Sequence, residues 1–209
     1  MAKLILARHH ESEWNKLGKW TGLRDRHLTP YGFEKSAEMG RTIVDIPIQK
    51  AFASMKVRAI ETLASMLDET GQYRVPTEHS DALNERDYGD YTGKDKWQMH
   101  EILGEEKWNK LRREWDYPVP NGETLKMVSA RALPFYIEHI VPALARGENV
   151  LVVAHGNSLR TIVKYIENIS DTDIASVEFP FGGIYIYDVD KEGHMISKEE
   201  RNVASNVNA

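Results

Sequence analysis

The sequence predicts an α/β protein in which helices cover both faces of a mostly parallel central sheet, giving three α/β/α layers. Short apolar runs at residues 4–7 and 150–154 have the length and composition of buried strands. Helical patterns alternate with such runs along the chain, as expected for a parallel sheet. His9 and His155 follow these two runs, at the edge of a sheet where α/β proteins gather their ligand crevice.

The bulk composition limits the protein class. The chain has 209 residues, enough for one hydrophobic core, so we expect a single domain over residues 1–209. It contains no cysteine, which excludes disulfides and thiol catalysis. No apolar run approaches the ~20 residues that span a bilayer, and no signal peptide is visible. We therefore expect a cytoplasmic protein that does not bind membranes.

The net charge and the arginines point to a small anionic ligand. A net charge of −5 argues against broad attraction to nucleic acid. It leaves open a local cluster of arginines inside a cleft. Two imidazoles flanked by Arg8 indicate chemistry on an anion.

The first half of the chain predicts two helices around a short strand at residues 51–53. Thr29 is a good N-cap, and Pro30 fits the first helical turn. The residues predicted on the inward face of this helix are Phe33, Ala37, Gly40 and Val44. A second helix is predicted from about Val57 to Glu69.

The second half begins with a polar loop at residues 81–93. Residues 96–115 are predicted to be helical in two pieces interrupted near Gly104. A longer helix to about residue 146 follows, and Pro134 and Pro142 should kink or divide it.

The last part of the chain is predicted to hold one strand and a tail. Residues 184–187 alternate between isoleucine and tyrosine, as in a strand with two different faces. Residues 198–209 are polar, and we expect them to form a flexible tail.

Several separate segments match the pattern of one family. They are Arg8-His9 with Glu11, Ser12, Trp14 and Asn15; Trp20-Thr21-Gly22; Ser54, Arg58, Ala59 and Thr62; Asn84-Glu85-Arg86; Arg112-Arg113; and His155-Gly156-Asn157-Ser158-Leu159-Arg160. Together they resemble the histidine phosphatase superfamily, with a phosphoglycerate mutase-like fold. The segment 83–96 and Arg112-Arg113 resemble its cofactor-dependent phosphoglycerate mutase branch. The resemblance covers nearly the whole chain.

The resemblance implies a role for five catalytic residues. His9 matches the nucleophile that carries the phosphoryl group, and Glu85 matches the general acid and base. Arg8, Arg58 and His155 would surround the transferring phosphoryl group and stabilise its charge. These positive neighbours would also favour the neutral form of His9.

The resemblance also implies a substrate-binding set. A second anion-binding layer would consist of Arg86, Lys96, Arg112 and Arg113. The hydrogen-bonding shell would consist of Ser12, Asn15, Thr21, Gly22, Tyr88, Gly156 and Asn157. The implied cofactor is 2,3-bisphosphoglycerate as a primer, and no metal is expected because no metal-ligand pattern occurs.

The implied activity is the interconversion of 2-phosphoglycerate and 3-phosphoglycerate in glycolysis and gluconeogenesis. Two alternatives stay open: a phosphatase that uses the same histidine on small phosphate esters, and a non-catalytic phospho-ligand binding protein. The second anion-binding layer favours the mutase, because a mutase must also hold the substrate carboxylate and a second phosphate. The sequence leaves the choice between homodimer and monomer open.

His10 departs from the family pattern, which has glycine after the nucleophile. If this position requires a positive φ, histidine is disfavoured there by about 1 kcal/mol. His10 is interpreted as a solvent-facing or packing residue, and the alternative is that His10 itself is the nucleophile.

Overall fold

A six-stranded sheet forms the centre of the protein. The structure, a computed structural model, describes residues 2–192 and 194–204. The strands are β1 (Ala2–Arg8), β2 (Lys50–Ser54), β3 (Thr77–Ser80), β4 (Val150–Ala154), β5 (Ile184–Val189) and β6 (Met195–Glu200). They lie in the order β3-β2-β4-β1-β5-β6. The first four of these pair in parallel, whereas β5 pairs antiparallel with both β1 and β6. The predicted mostly parallel sheet is confirmed.

Seven helices flank this sheet in the described ranges. They are α1 (Glu13–Lys16), α2 (Pro30–Arg41), α3 (Val57–Glu69), α4 (Lys96–Arg113), α5 (Leu125–Phe135), α6 (Val141–Ala145) and α7 (Gly156–Ile166). Helix α2 begins as predicted, with the Thr29 hydroxyl accepting a hydrogen bond from the Gly32 amide at 3.0 Å. Helix α3 has the predicted bounds. None of these helices is long and apolar enough to cross a membrane.

The three layers follow from the two faces of the central strands. Leu4 and Leu6 of β1 belong to an apolar cluster with residues of α5 and α7. Ile5 and Ala7 of the same strand belong to a second cluster with residues of α2 and α3. Successive side chains of a strand point to opposite faces. Strand β1 is therefore covered by helices on both sides.

The buried face of α2 matches the predicted one at Gly40 but not at Phe33 and Val44. Phe33 is 41% exposed and Val44, beyond the end of the helix, is 57% exposed. The buried residues of α2 are mostly small: Gly32, Ser36, Met39 and Gly40. A Cβ on Gly40 would lie 2.7 Å from the carbonyl oxygen of Met66. Helices α2 and α3 thus approach so closely that mostly small residues form their contact. A hydrophobic pattern favours larger residues such as Phe33 instead.

The predicted breaks in the later helices are present. Gly104 has φ +73° and divides α4. Helix α5 contains Pro134, a π-helical turn follows at Tyr136–Ile140, and Pro142 lies in the first turn of α6. The predicted loop at 81–93 contains two short 3-10 turns, at Asp81–Leu83 and Gly89–Tyr91.

The predicted flexible tail is wrong for residues 198–204. Lys198–Glu200 belong to β6, Arg201 donates to the carbonyl oxygen of Thr42 at 2.7 Å, and Val203 is buried. All six residues of β6 are exposed, and residues 195–200 lack the apolar alternation that reveals a strand. Residues 205–209 of the predicted tail lie outside the described residues.

Candidate active site

The two predicted histidines lie side by side at the carboxyl edge of the sheet. Strands β1 and β4 are parallel neighbours, and Arg8 is paired with Ala154, so the next residue of each strand is a histidine. The ring centroids of His9 and His155 are 4.8 Å apart, at an interplanar angle of 62°. Both rings are buried. The strand register itself therefore brings the two imidazoles together.

The hydrogen bonds of His9 define its tautomer. Nδ1 lies 2.7 Å from the carbonyl oxygen of His10, which only accepts, so Nδ1 carries the proton. Nε2 then carries the lone pair and accepts a bond from Arg58 Nε at 3.3 Å. Burial, reinforced by the charges of Arg58 and Arg8, holds the pKa of His9 well below its usual value. His9 is thus a neutral imidazole at neutral pH.

Arg58 is fixed in place by backbone carbonyls. Its Nη1 and Nη2 donate to the carbonyl oxygens of Arg24 and Gly22, each at 3.0 Å. Burial lowers the pKa of Arg58 to about 10, so the guanidinium stays charged at neutral pH. The loop that follows Thr21 therefore positions this cation against His9.

Arg8 contributes a second cation. Its Nη1 donates to the carbonyl oxygen of Phe179 at 2.6 Å, and its guanidinium carbon lies 3.6 Å from the centroid of the Phe181 ring. Burial lowers the pKa of Arg8 to about 10. A Cβ on Gly156 would lie 3.3 Å from the guanidinium carbon, which makes the small residue at the start of α7 part of this arrangement.

His155 is held by a residue that was not predicted as a site residue. Its Nε2 lies 2.6 Å from the Ser54 hydroxyl, at the end of the neighbouring strand β2. Burial, with the charge of Arg58 next, holds the pKa of His155 well below its usual value. His155 is thus also neutral at neutral pH.

Glu85 contributes a buried carboxylate to the site. Its Oε1 accepts bonds from the Arg86 amide at 2.8 Å, from Asn157 Nδ2 at 3.1 Å and from the Asn157 amide at 3.3 Å. Asn157 Nδ2 also donates to the Tyr88 hydroxyl at 2.9 Å. The loop 81–93 and the start of α7 together position the carboxylate.

Two adjoining cavities meet at these residues. Their volumes are about 40 Å³, beside His9 and Arg58, and about 110 Å³, beside Gly156 and Asn157. Both are lined by Arg8, Trp20, Glu85, Tyr88 and Lys96. Asn15, Thr21 and Gly22 line the smaller one, and Arg112 and Arg113 line the larger one.

The predicted outer anion-binding residues differ in their surroundings. Burial lowers the pKa of Lys96 to about 8, with a further contribution from the charge of Arg8. Arg112 packs over the Trp108 ring, 5.1 Å from its centroid. Arg113 forms an ion pair with Glu178, which compensates its charge.

Three predicted residues, His155, Arg86 and Ser12, line neither cavity. Arg86 is fully buried, and its Nη2 donates to the carbonyl oxygen of Leu111 at 2.7 Å. The Ser12 hydroxyl donates to Asn15 Oδ1 at 2.7 Å. Arg86 and Ser12 therefore contribute to the site through the residues that they contact and do not line a cavity themselves.

Sequence reasoning placed Arg160 in a segment that resembles the family but gave it no role in the site. This buried residue lines the larger cavity, and its Nη1 donates to Asn157 Oδ1 at 3.1 Å. Residues three apart share one face of a helix, so the spacing from Asn157 was a usable signal. Ser54 also stood in a matching segment without a role in the site, and no local spacing links it to its partner His155, which is 101 residues away.

His10 is buried, so its interpretation as a solvent-facing residue is wrong. Its ring lies between Tyr31 and Phe181, with centroid distances of 5.5 Å and 6.4 Å. Its backbone is not left-handed, so the expected backbone penalty for a non-glycine residue does not arise. His10 is therefore a packing residue, which was the second possibility in the interpretation of its sequence position.

Residues 4–201 match the family described as the histidine phosphatase superfamily (branch 1). The chain belongs to the histidine phosphatase superfamily. One relative within it, from Parvibaculum lavamentivorans, is named 2,3-bisphosphoglycerate-dependent phosphoglycerate mutase and is 40% identical over 198 residues, 94% of either chain. A protein of the same name from Methylorubrum populi is 43% identical over 186 residues, 88% of either chain.

A solved structure of similar fold is YhfR of Bacillus stearothermophilus. It superposes with a TM-score of 0.79 at 25% identity, over 93% of this chain and 94% of the other. This likeness agrees with the phosphoglycerate mutase-like arrangement of sheet and helices that the sequence indicates.

Proposed function

We propose that the protein is a 2,3-bisphosphoglycerate-dependent phosphoglycerate mutase, which interconverts 2-phosphoglycerate and 3-phosphoglycerate through phosphorylated His9. The observation that supports this most directly is the neutral His9, with its Nε2 lone pair against a buried arginine. Nucleophilic attack on phosphorus requires such a lone pair, and the transferring group requires cations around its oxygens. The name shared by the 40–43% identical relatives points to the same reaction.

The proposal assigns the transferring phosphoryl group to the smaller cavity. Arg8 and Arg58 line this cavity together with His9, and the His155 ring lies against the His9 ring. These three residues stabilise the charge that spreads over the equatorial oxygens. The Arg58 Nε–H that now points at His9 Nε2 is placed to donate to a phosphoryl oxygen instead.

Glu85 is assigned proton transfer to and from the substrate hydroxyl. Its three hydrogen bonds all go to Oε1, so the proposal gives the proton transfer to Oε2. General acid and base catalysis of this kind contributes about 10²–10⁴ in rate.

The outer cations distinguish a mutase from a phosphatase. Lys96, Arg112 and Arg113 line the larger cavity, beyond the position of the transferring group. They would hold the substrate carboxylate and the second phosphate, and Arg113 would exchange its Glu178 partner for the ligand. A simple phosphatase does not need to bind either of these groups. Burial of His9 also restricts water, which would otherwise hydrolyse the phosphohistidine.

The proposed primer is 2,3-bisphosphoglycerate. Arg8 and Arg160 line the larger cavity, and their buried Nε atoms have no hydrogen-bond partner among the described residues, so donors remain available for an anion. When bound, this compound supplies the phosphoryl group that charges His9. The remaining assignments of the proposal are small phosphorylated substrates, no metal, a cytoplasmic location and a single catalytic domain.

The experiment is incubation with 2,3-bisphosphoglycerate followed by mass analysis of peptides. The expected result is one phosphoryl group, labile to acid, on the peptide that holds His9 and absent from His9→Ala. His79→Ala, which removes an exposed histidine on β3, serves as the matched control and should be labelled like the wild type.

Product analysis decides between the alternatives. From 3-phosphoglycerate with catalytic 2,3-bisphosphoglycerate, the proposal requires 2-phosphoglycerate as the main product. Free phosphate as the main product would instead establish a phosphatase. Binding of bisphosphoglycerate without turnover would establish a non-catalytic binding protein.

A further inference from the structure

The peptide group between His10 and Glu11 makes hydrogen bonds at both of its ends. Its carbonyl oxygen accepts the Nδ1 proton of His9 at 2.7 Å. Its N–H, on Glu11, donates to Nδ1 of the His10 ring at 2.8 Å. In a trans peptide the C=O and N–H point in opposite directions. The His10 ring therefore fixes the orientation of the carbonyl that selects the tautomer of His9.

We propose that His10 is a positioning residue for the nucleophile, an inference that rests on the proposed role of His9. Its ring nitrogen holds the peptide in the one orientation that keeps a proton on His9 Nδ1 and the lone pair on Nε2. The bond on one end of a peptide also polarises the other end, which strengthens the acceptor for His9. A glycine, alanine or phenylalanine at this position would leave the Glu11 N–H without this acceptor.

The surroundings of His10 restrict the ring to this role. It is fully buried against Tyr31 and Phe181, and a Cβ on Gly182 would lie 3.4 Å from its edge. Since Nδ1 accepts a hydrogen bond, the proton of the neutral ring must lie on Nε2. A ring with the opposite tautomer would place two N–H groups against each other and release the peptide.

The backbone on either side is anchored independently of the ring. The His10 amide donates to the Thr62 hydroxyl at 3.4 Å, and the Glu11 carbonyl accepts from the Thr29 amide at 3.0 Å. The Thr62 hydroxyl in turn donates to the Arg58 carbonyl at 2.8 Å. Substitution of the ring should therefore leave the path of the chain intact and change the orientation of a single peptide.

Two substitutions separate the acceptor from the volume of the ring. In His10→Asn the side-chain oxygen can take the place of Nδ1, whereas His10→Phe keeps a ring without an acceptor. The rate of His9 phosphorylation by 2,3-bisphosphoglycerate is measured by rapid quench. Because one hydrogen bond is lost, we expect His10→Phe to slow it about tenfold with an unchanged KM, and His10→Asn to stay within about threefold of the wild type. His79→Phe on the exposed edge strand is the control and should match the wild type.

Nitrogen-15 NMR of the imidazoles tests the same inference without turnover. In the wild type at pH 7.5 we expect His9 protonated on Nδ1 and His10 protonated on Nε2; in His10→Phe we expect His9 to populate both tautomers. Protonated Nδ1 on His10 in the wild type would overturn the proposal, and so would a His10→Phe protein with the wild-type rate and tautomer. If His10→Phe fails to fold, the tautomers observed in the wild-type spectrum decide whether the proposal stands. A wild-type protein that accepts no phosphoryl group on His9 would refute the proposed function. Its NMR spectrum would still test whether His10 positions His9.

Discussion

Replacement of Arg160 by methionine tests how the candidate site is built. Arg160 is 5% exposed and links three parts of the chain. It donates to the carbonyl oxygens of Arg112 at 3.3 Å, Arg113 at 3.0 Å and Ile174 at 2.7 Å, and to Asn157 Oδ1 at 3.1 Å. Methionine keeps much of the aliphatic stem and removes all four hydrogen bonds.

The expected loss of stability follows from these four bonds. Each hydrogen bond from a charged donor contributes about 1.5–3 kcal/mol, but the bonds share one side chain and are not additive. Removal of the guanidinium leaves four acceptors without this donor, and a buried acceptor left unsatisfied costs about 1–3 kcal/mol, so we expect the free energy of unfolding to fall by about 3–5 kcal/mol. The Asn157 amide would also lose the contact that orients it toward Glu85. We therefore expect kcat to fall by about tenfold, equivalent to one hydrogen bond.

The assay is urea unfolding at pH 7.5 together with steady-state kinetics. Arg146→Met is the matched control, since Arg146 is exposed and bonds only Glu148 among the described residues. An exposed ion pair contributes about 0–1 kcal/mol, so this control should change stability little. If Arg160→Met loses no more stability than Arg146→Met and keeps its kcat, the reasoning about Arg160 is refuted.

Three further predictions concern Glu85, Lys96 and His10. Glu85→Gln cannot exchange a proton, so kcat should fall by about 10²–10⁴ with little change in KM; an unchanged kcat would remove Glu85 from the mechanism. The pKa of Lys96 is lowered to about 8 by burial, so its charge is lost as the pH rises above 8. The KM for 3-phosphoglycerate should then rise in the wild type but not in Lys96→Arg, and a flat wild-type profile to pH 9.5 would contradict this. Burial lowers the pKa of His10 to about 4 from about 6.5 in the unfolded chain, so acid favours unfolding. In urea unfolding of the wild type, this group should lower the free energy of unfolding by about 3 kcal/mol between pH 6.5 and 4. His10→Phe should lack this contribution. An equal pH dependence of stability in both proteins would disprove the prediction.

The sequence predicted those parts of the molecule whose patterns are local. The apolar runs that became β1 and β4 are followed by His9 and His155, and parallel pairing of adjacent strands leaves little freedom in where those rings lie. The helix start at Thr29 was predicted for the same reason, because a cap acts over three residues. Strand β6 could not be predicted from its own residues, since its structure comes from pairing with β5.

The remainder of the site depends on backbone carbonyl groups, which every residue possesses. Buried arginines of this site are held by backbone carbonyl oxygens: Arg58 by Gly22 and Arg24, Arg8 by Phe179, Arg86 by Leu111 and Arg160 by Ile174. Within the described ranges none of these four forms an ion pair with a carboxylate, in contrast to Arg113 with Glu178.

This choice of acceptor has an electrostatic consequence. A carbonyl satisfies a guanidinium hydrogen bond without neutralising its charge, whereas a carboxylate would cancel most of the field that an anion senses. A chain with a net charge of −5 can therefore keep a strongly positive interior cleft. Until an anion binds, the carbonyl dipoles compensate the desolvation of these cations. The fold sets the positions of these dipoles, so residue identities alone do not reveal how the arginines are held.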